Sequence, residues 1–328
     1  MPKESRQYMK LLNLQEIKQY LESLDLIPLI EQGFVAYSQG KAVMPPVGEL
    51  LIEEHAGEVH IKYGLIKQDD IYVIKIASGF YNNADLGLPS SNGLMLVFRQ
   101  QTGEALAVLH DEGHLTDIRT AVAGAIAAKH LAPKSVNRIG VVGIGIQARL
   151  QLLFLKQVTN CRDVMVWGRN TVACDAYAKD MQVQGFNVQM APDTQEIMQN
   201  CQLIITTTPS KTPLLHVSNL RAGTHITAVG ADTPEKQELD AEILAKADLV
   251  VVDSKSQCKL RGEASHALEQ KLITEKDMLE LGTVISGDAK SRTSEKQITV
   301  ADLTGVAVQD IQIAKAVYLA CLFKKAHV

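Results

Sequence analysis

The fold of this chain is decided by the stretch Arg138-Ile139-Gly140-Val141-Val142-Gly143-Ile144-Gly145-Ile146-Gln147-Ala148. Its apolar residues 139–142 predict a buried strand that runs into a tight glycine turn and then a helix. Gly143 permits the sharp turn, Gly145 lets the backbone approach a pyrophosphate at the helix N-terminus, and Ala148 takes the third small position. The pattern therefore predicts a bound dinucleotide. The alternative is a strand-to-helix turn whose glycines serve only the backbone.

Strands and helices alternate downstream of this stretch, which is typical of a doubly wound parallel sheet. The predicted strands are 139–142, 164–167, 187–190, 203–207, 225–229 and 249–252, with another short strand at 298–300. We therefore expect an α/β fold with a central Rossmann-like sheet. Residues 119–306 form the predicted dinucleotide-binding domain.

The residues before this domain follow a different pattern. Two helices are predicted within 13–39, and a helix at 116–131 is stopped by Pro133. Between them, short β-rich runs separated by turn residues predict an antiparallel sheet, with strands at 50–53, 59–66, 71–77, 93–99 and 105–109. A last helix is predicted at 308–325. We expect residues 1–118 to form an α+β substrate-binding and dimerisation domain, to which the C-terminal segment 307–328 returns.

Composition limits the classes of function. The chain has 328 residues, 46% hydrophobic and 21% charged, with a net charge of −4, so it is long enough for two domains and carries no broad basic field. Nucleic acid and anionic membranes are therefore unlikely partners by charge, and small molecules are favoured. Five scattered cysteines indicate neither a disulfide framework nor a zinc site, so no metal is expected. No apolar run approaches the length of a membrane span, and we expect a cytoplasmic protein.

Several residues at predicted strand ends are assigned to the cofactor. In a dinucleotide fold an acid after the second strand binds the ribose hydroxyl, whereas an arginine there accommodates a 2′-phosphate. Here the strand ending at Trp167 is followed by Arg169, Asn170 and Thr171, which favours NADPH, with NADH as the second coenzyme. The remaining cofactor assignments are Gly143, Gly145, Gln147, Ala148, Thr207, Thr208 and Val229.

Three charged residues are candidates for a catalytic or substrate-binding role. Lys75 shares a strand face with Ile71 and Val73, so an anion should accompany its buried ammonium. Arg119 is predicted in the first turn of the helix capped by Thr116, where the positive end of the helix dipole disfavours a cation unless an anion is bound beside it. Asp232 follows a strand at the carboxyl end of the sheet and could shuttle a proton. The corresponding structural alternatives are a strand-edge lysine, a surface salt bridge and a turn-forming aspartate.

Four separated motifs resemble the ornithine cyclodeaminase and mu-crystallin family over nearly the whole chain. They are Arg119-Thr120-Ala121, Gly143-x-Gly145-x-Gln147-Ala148, Gly230-Ala231-Asp232-x-Pro234-x-Lys236-x-Glu238-Leu239 and Asp302-Leu303-Thr304-Gly305-x-Ala307-x-Gln309-Asp310. The resemblance implies a Rossmann domain, a second domain that makes a homodimer, and hydride exchange between nicotinamide and a carbon bearing nitrogen and a carboxylate.

The resemblance also implies site residues. Lys75 and Arg119 would bind the substrate carboxylate, Asp232 and Lys75 would be catalytic, and Thr304 and Gly305 would contact the substrate. One departure is that residues 41–50 lack the arginine of the cyclodeaminases, for which Lys62 is the candidate substitute. Lys62 also stands where the ornithine enzymes place an acid, and a cation there would repel ornithine's second ammonium.

These features favour an NAD(P)H-dependent ketimine reductase. The expected reaction reduces Δ1-pyrroline-2-carboxylate, or Δ1-piperideine-2-carboxylate, to the cyclic L-amino acid. The alternatives are an ornithine cyclodeaminase with tightly bound NAD, an alanine dehydrogenase, and a non-catalytic NADP-binding protein like mu-crystallin.

Overall fold

The computed structural model describes residues 9–324, which divide into two compact units. One unit contains residues 9–119 and 306–324, and the other is Thr120–Gly305. The helices are α1 Leu14–Leu21, α2 Leu26–Ser38, α3 His114–Leu131, α4 Ile146–Leu155, α5 Thr171–Val183, α6 Thr194–Asn200, α7 Ala241–Lys246, α8 Lys255–Cys258, α9 Glu263–Glu269, α10 Leu281–Ser286 and α11 Ala307–Lys324. Every helix within residues 9–324 is too short or too polar to cross a bilayer.

The unit Thr120–Gly305 is built on an eight-stranded, fully parallel sheet. Its strands are β8 Ile139–Val142, β9 Asp163–Trp167, β10 Asn187–Met190, β11 Leu203–Thr206, β12 His225–Ala228, β13 Leu249–Val252, β14 Met278–Glu280 and β15 Thr299–Asp302. Their order is β10-β9-β8-β11-β12-β15-β13-β14, which contains the Rossmann arrangement with its topological switch between β8 and β11. The predicted fold class is therefore confirmed.

The other unit contains a seven-stranded sheet. Its strands are β1 Lys10–Leu12, β2 Ala42–Val43, β3 Gly48–Ile52, β4 Gly57–Ile66, β5 Ile71–Phe80, β6 Ser91–Arg99 and β7 Ala105–Leu109. The order is β1-β7-β6-β5-β4-β2, with β3 also paired to β4. All pairs are antiparallel, as predicted, except that β1 runs parallel to β7. The C-terminal helix α11 packs on α2 and on β4.

Several predicted boundaries are wrong. Helix α3 begins at His114 rather than at a Thr116 cap, because Asp111 Oδ2 accepts a hydrogen bond from Leu115 N (2.7 Å) ahead of that position. Arg119 therefore lies in the second turn. The predicted strand 50–53 is β3, Gly48–Ile52, and residues Glu53–His55 turn as a short 3₁₀ helix.

Candidate active site

A cavity of about 590 Å³ lies at the carboxyl ends of β8, β9 and β11. It is lined by residues 143–145, 167–170 and 207–212 together with Leu214. These segments follow three neighbouring strands at the switch point of the sheet, where open α/β folds bind their ligands. The sequence placed the glycine turn, the Arg169 segment and the threonines at a cofactor site, and the structure brings these three segments together.

The glycine turn has the backbone that the sequence predicted. Gly143 has φ of +118°, and a Cβ there would lie 2.5 Å from Thr207 Oγ1, so both conformation and space require glycine. Gly145 caps α4, and a Cβ on it would meet no atom within 4 Å. Ala148 is buried beneath the turn. The space beside Gly145 is therefore open to a ligand that approaches the helix N-terminus.

The segment after β9 contributes a cation and a helix cap. Arg169 lines the cavity, while the Asn170 side chain accepts a hydrogen bond from Ala173 N (3.1 Å) and caps α5, which begins at Thr171. Lys211 lines the same cavity from the opposite loop, 3.9 Å from Glu235. Among the residues that line this cavity none is acidic, which suits an anionic ligand.

The threonines after β11 are held by hydrogen bonds of their own. Thr207 Oγ1 donates to Val142 O (3.3 Å), and Thr208 donates to Glu238 through both its N–H (2.6 Å) and its hydroxyl (2.8 Å). Gln147 on α4 and Val229, just after β12, do not belong to the cavity lining. Their assignment to the cofactor stays a prediction.

The unit of residues 9–119 and 306–324 contains a buried cluster of charges. Lys75 Nζ lies 3.1 Å from Asp310 Oδ2, and Arg119 Nε lies 3.0 Å from Asp310 Oδ1. Arg119 Nη1 also donates to Gln309 Oε1 (3.0 Å). The prediction that an anion accompanies Lys75 is thus confirmed, and the anion is the Asp310 carboxylate on α11.

Lys62 and Asp111 complete this cluster. Lys62 lies directly opposite Lys75 in the pairing of β4 with β5, and both side chains are buried. Burial, together with the Arg119 and Lys62 charges, lowers the pKa of Lys75 to about 7. Burial raises the pKa of Asp111, although hydrogen bonds from backbone N–H groups and the Lys75 charge oppose that rise. The cluster thus gathers Lys62, Lys75 and Arg119 around the Asp310 carboxylate, with Asp111 close enough for its pKa to respond to the charge of Lys75.

Asp232 lies in the turn after β12 and forms an ion pair. Its Oδ1 accepts a hydrogen bond from Lys236 Nζ at 2.7 Å, with the Asp232 side chain 45% exposed and that of Lys236 only 8%. The main-chain oxygen of Asp232 accepts from Arg261 (3.3 Å). The carboxylate is thus held by a buried ammonium while half of it remains accessible.

Thr304 and Gly305 are buried and firmly held. Thr304 Oγ1 donates to Asp253 Oδ1 (3.0 Å) and accepts from Gln257 Nε2 (2.8 Å). Gly305 N donates to Asp253 Oδ2 (2.6 Å), and its φ of +82° favours glycine. The Thr304 hydroxyl proton is thus used within the protein, and a substrate contact of these residues stays a prediction.

Sequence reasoning missed two groups of residues at these sites. Asp310 and Gln309 hold Lys75 and Arg119, and Glu238 holds the Thr208 segment. All three stand inside the motifs that carried the family resemblance. A buried lysine signals that a carboxylate is needed, but pattern alone does not say which one. Among residues 9–324 no group of three or more His, Cys, Asp or Glu side chains is arranged to hold a metal ion.

Comparison with known proteins assigns the family. The model of the ornithine cyclodeaminase/mu-crystallin family matches residues 7–325, and the chain belongs to this family. It is 40% identical over 310 residues to an uncharacterized cyclodeaminase of Sinorhizobium fredii, covering 93% of this chain and 94% of that protein.

Two solved structures are also similar over nearly their full length. The Δ1-pyrroline-2-carboxylate reductase of Thermococcus litoralis in complex with NADH and L-proline has a TM-score of 0.91 at 27% identity, covering 97% of this chain and 98% of that one. An archaeal alanine dehydrogenase dimer with bound NAD has a TM-score of 0.89 at 34% identity, covering 97% of both chains.

Proposed function

We propose that this protein is an NAD(P)H-dependent reductase of a small cyclic ketimine carboxylate. The proposed substrate is Δ1-pyrroline-2-carboxylate, or its six-membered homologue Δ1-piperideine-2-carboxylate, and the product is the cyclic L-amino acid. The observation that carries the proposal is the buried cluster of three cations, Lys62, Lys75 and Arg119, around the Asp310 carboxylate.

The cavity of the parallel sheet fits a dinucleotide. The open space at Gly145, the positive φ of Gly143 and the absence of acids from the lining suit a pyrophosphate at the N-terminus of α4. When bound, the nicotinamide supplies the hydride for the imine carbon. Arg169 replaces the acid that would bind a free ribose hydroxyl, which supports a preference for NADPH over NADH. The NADH and NAD complexes of the two similar structures support a nicotinamide coenzyme.

Lys75 and Arg119 would bind and orient the substrate carboxylate. Three buried cations attract a carboxylate, whereas a further ammonium would add to the repulsion among them. The cluster therefore suits a cyclic imino acid with one carboxylate and disfavours ornithine. Asp232, held by Lys236, would keep a proton or a water molecule at the imine nitrogen, because a protonated imine accepts hydride more readily than a neutral one.

The names of two relatives point to other reactions that compete with this proposal. One relative is named a cyclodeaminase and another an alanine dehydrogenase, so ornithine cyclisation and reductive amination of pyruvate are the competing reactions. A protein that binds NADP without catalysis is the third possibility. The charge of Lys62 argues against the first of these, and the Lys75, Arg119 and Asp310 cluster favours an enzyme over a binding protein.

We further propose a homodimer formed through the outer face of the seven-stranded sheet. The pairing of strands aligns Tyr63, Ile74, Leu96, Val108 and Leu11 in one row across five strands. Leu11 is 68% exposed and Tyr63 is 38% exposed in the single chain. An apolar row of this width on a sheet face is typical of a subunit interface.

A coupled assay tests the function. NADPH oxidation is followed by absorbance with the five-membered cyclic imine, with the six-membered one, and with pyruvate plus ammonia. Ammonia release from ornithine in the presence of catalytic NAD⁺ is measured separately. We expect turnover with a cyclic imine that exceeds the other reactions. Binding of NADPH without turnover of any of these substrates would contradict the proposal and favour the binding protein.

A further inference from the structure

Glu238 carries a fully buried carboxylate at the carboxyl ends of β11 and β12. Its Oε1 accepts from the N–H (2.6 Å) and the hydroxyl (2.8 Å) of Thr208, and its Oε2 accepts from Thr206 Oγ1 (2.7 Å) and Gly230 N (2.8 Å). Four donors match the number of lone pairs that one carboxylate offers. The side chain is therefore fully engaged: one bond comes from Thr206, the last residue of β11, and the other three come from the loops that follow β11 and β12.

The two loops that Glu238 joins have separate tasks in the proposed function. Thr208 lines the cavity at Gly143–Gly145, and Gly230 begins the turn that carries Asp232. The loops touch directly, since a Cβ on Gly230 would lie 2.1 Å from Thr208 O and 2.5 Å from Glu238 Oε2. The gap between the two loops has no room for a side chain at position 230, and the Glu238 carboxylate accepts hydrogen bonds from both loops. It therefore fixes their relative position.

Glu238 is itself held by a second buried acid. Its N–H and that of Leu239 donate to the two carboxylate oxygens of Glu263, at 2.8 and 3.0 Å. Burial raises the pKa of Glu238 to about 7 even though four hydrogen bonds oppose the shift. Burying two acids so close together is costly for stability, which argues that the arrangement is retained for the geometry of the loops.

We propose that Glu238 is a positioning residue that fixes the Thr208 loop against the Gly230–Asp232 turn, and so sets both coenzyme affinity and the placement of Asp232. This inference rests on the proposed function, because it takes the cavity as the coenzyme site. Glu238 has no contact with the Lys75 and Arg119 cluster among its four side-chain hydrogen bonds, so it should leave the binding of the substrate carboxylate alone.

The test is Glu238→Gln, which keeps the shape but replaces one accepting oxygen by an amide that only donates. Coenzyme binding is measured by quenching of the fluorescence of Trp167, the only tryptophan of the chain, which lines the cavity. We expect the Kd of NADPH and of NADH to rise alike by about tenfold, the scale of one lost hydrogen bond to a charged group. The kcat at saturating coenzyme should fall, while the KM of the cyclic imine should stay within about twofold.

Two further variants keep the test decisive. Glu242→Gln, an exposed glutamate on α7, makes the same chemical change without the contacts and should behave as the unmodified protein. Thr208→Val removes one bond to Glu238 and should raise the coenzyme Kd less than Glu238→Gln does. In the Glu238→Gln background Thr208→Val should raise the coenzyme Kd less than it does alone, because both changes weaken the contact between these two residues.

An unchanged coenzyme Kd in folded Glu238→Gln, or in Thr208→Val if the first variant fails to fold, would overturn the inference alone. Failure of the unmodified protein to bind either coenzyme would overturn the proposed function and the inference with it. An equal rise in coenzyme Kd and in imine KM would also overturn it, since general loosening of the fold affects both.

Discussion

Lys62 and Lys75 occupy directly opposite positions on β4 and β5, and both are buried. Like charges at opposite positions of an antiparallel pair repel each other, and burial strengthens the repulsion. The Asp310 carboxylate, 3.1 Å from Lys75, offsets this cost only in part. Two lysines and an arginine gathered around the Asp310 carboxylate create a buried positive region that favours the binding of an anion.

Replacing Asp310 by asparagine keeps the shape and removes the charge that Lys75 and Arg119 share. We expect the free energy of unfolding at neutral pH to fall by about 3 kcal/mol, the scale for breaking a buried ion pair. Although burial raises the pKa of Asp310, Lys75, Arg119 and Lys62 bring it below its ordinary value, so its stabilisation is present above that value and is lost as pH falls. Urea denaturation at neutral and acidic pH measures both effects. Asp70→Asn, at an exposed position, is the control, and equal midpoints in the two variants would contradict the prediction.

Carboxylate binding should weaken as pH rises through 7, because the pKa of Lys75 is lowered to about 7 by burial and by the charges of Arg119 and Lys62. Furan-2-carboxylate, a five-membered ring carboxylate that does not titrate in this range, is the probe and is tested as a competitive inhibitor of the cyclic imine. Its Ki should rise above pH 7 by up to about tenfold per pH unit, and this rise should vanish in Lys75→Met. The free energy of unfolding should instead rise with pH between pH 7 and the pKa of Lys75 in the unfolded chain. Over this range the lysine is neutral in the folded protein and charged in the unfolded one. Lys18→Met, exposed on α1, is the matched control, and a Ki independent of pH would refute this role of Lys75.

Arg169→Asp should weaken NADPH binding at least about tenfold more than NADH binding. The change removes the proposed partner of the 2′-phosphate and adds a like charge in the cavity wall. The Kd values of both coenzymes are compared by Trp167 fluorescence. Lys179→Asp, on the exposed face of α5, makes the same change in net charge away from the cavity and should not alter the ratio. Equal weakening of both coenzymes in Arg169→Asp would assign Arg169 a role other than coenzyme choice.

Lys62→Glu should impair imine reduction and permit weak binding of ornithine. The substitution reverses the charge that repels the second ammonium and adds an acid beside Lys75. Ammonia release from ornithine with catalytic NAD⁺ is measured beside NADPH oxidation by the cyclic imine, in the variant and in the unmodified protein. Rapid ammonia release by the unmodified protein, with little imine reduction, would favour the cyclodeaminase.

Ile74→Asp should convert the proposed dimer into monomers. Ile74 lies inside the apolar row, between Tyr63 and Leu96, where an unpaired carboxylate would be buried on association. The mass in solution is measured by sedimentation or light scattering over a range of concentrations. Val183→Asp, an exposed apolar residue of α5 in the other unit, should leave the mass unchanged. A monomeric unmodified protein would refute the dimer itself.

Much of the fold could be predicted because the central parallel strands are buried on both faces. The runs 139–142 and 249–252 were predicted with the boundaries that the structure shows, since continuous apolar runs between glycines and polar turns leave little choice. The exposed edge strand 187–190 was also predicted with its bounds. Strands β1, β2 and β14 were not predicted. They have three, two and three residues, too few for a period, and each lies at an end of its sheet, paired with one neighbouring strand.

Site residues could be predicted where the residue type is unusual for its local structure, and not where it is ordinary there. Lys75 on a buried face and the two glycines of the turn break ordinary patterns, so they stand out in the sequence. Asp310, in contrast, lies in the first turn of a helix, where an acid is favourable in any protein. Glu238 lies in a polar segment that reads as an ordinary loop. Their partners are remote in sequence, so only the tertiary structure reveals what they hold.

The order of strands in the parallel sheet has a consequence for how the chain folds during synthesis. Strand β15 is the last strand of the chain, yet it lies inside the sheet, between β12 and β13. The helix that covers the seven-stranded sheet, α11, follows β15 directly. The parallel sheet therefore cannot be completed before residues 299–302 are synthesised, nor the other unit before residues 307–324. Until β15 is synthesised, one edge of β12 stays unpaired. An unpaired strand edge favours aggregation and is the kind of surface that chaperones protect.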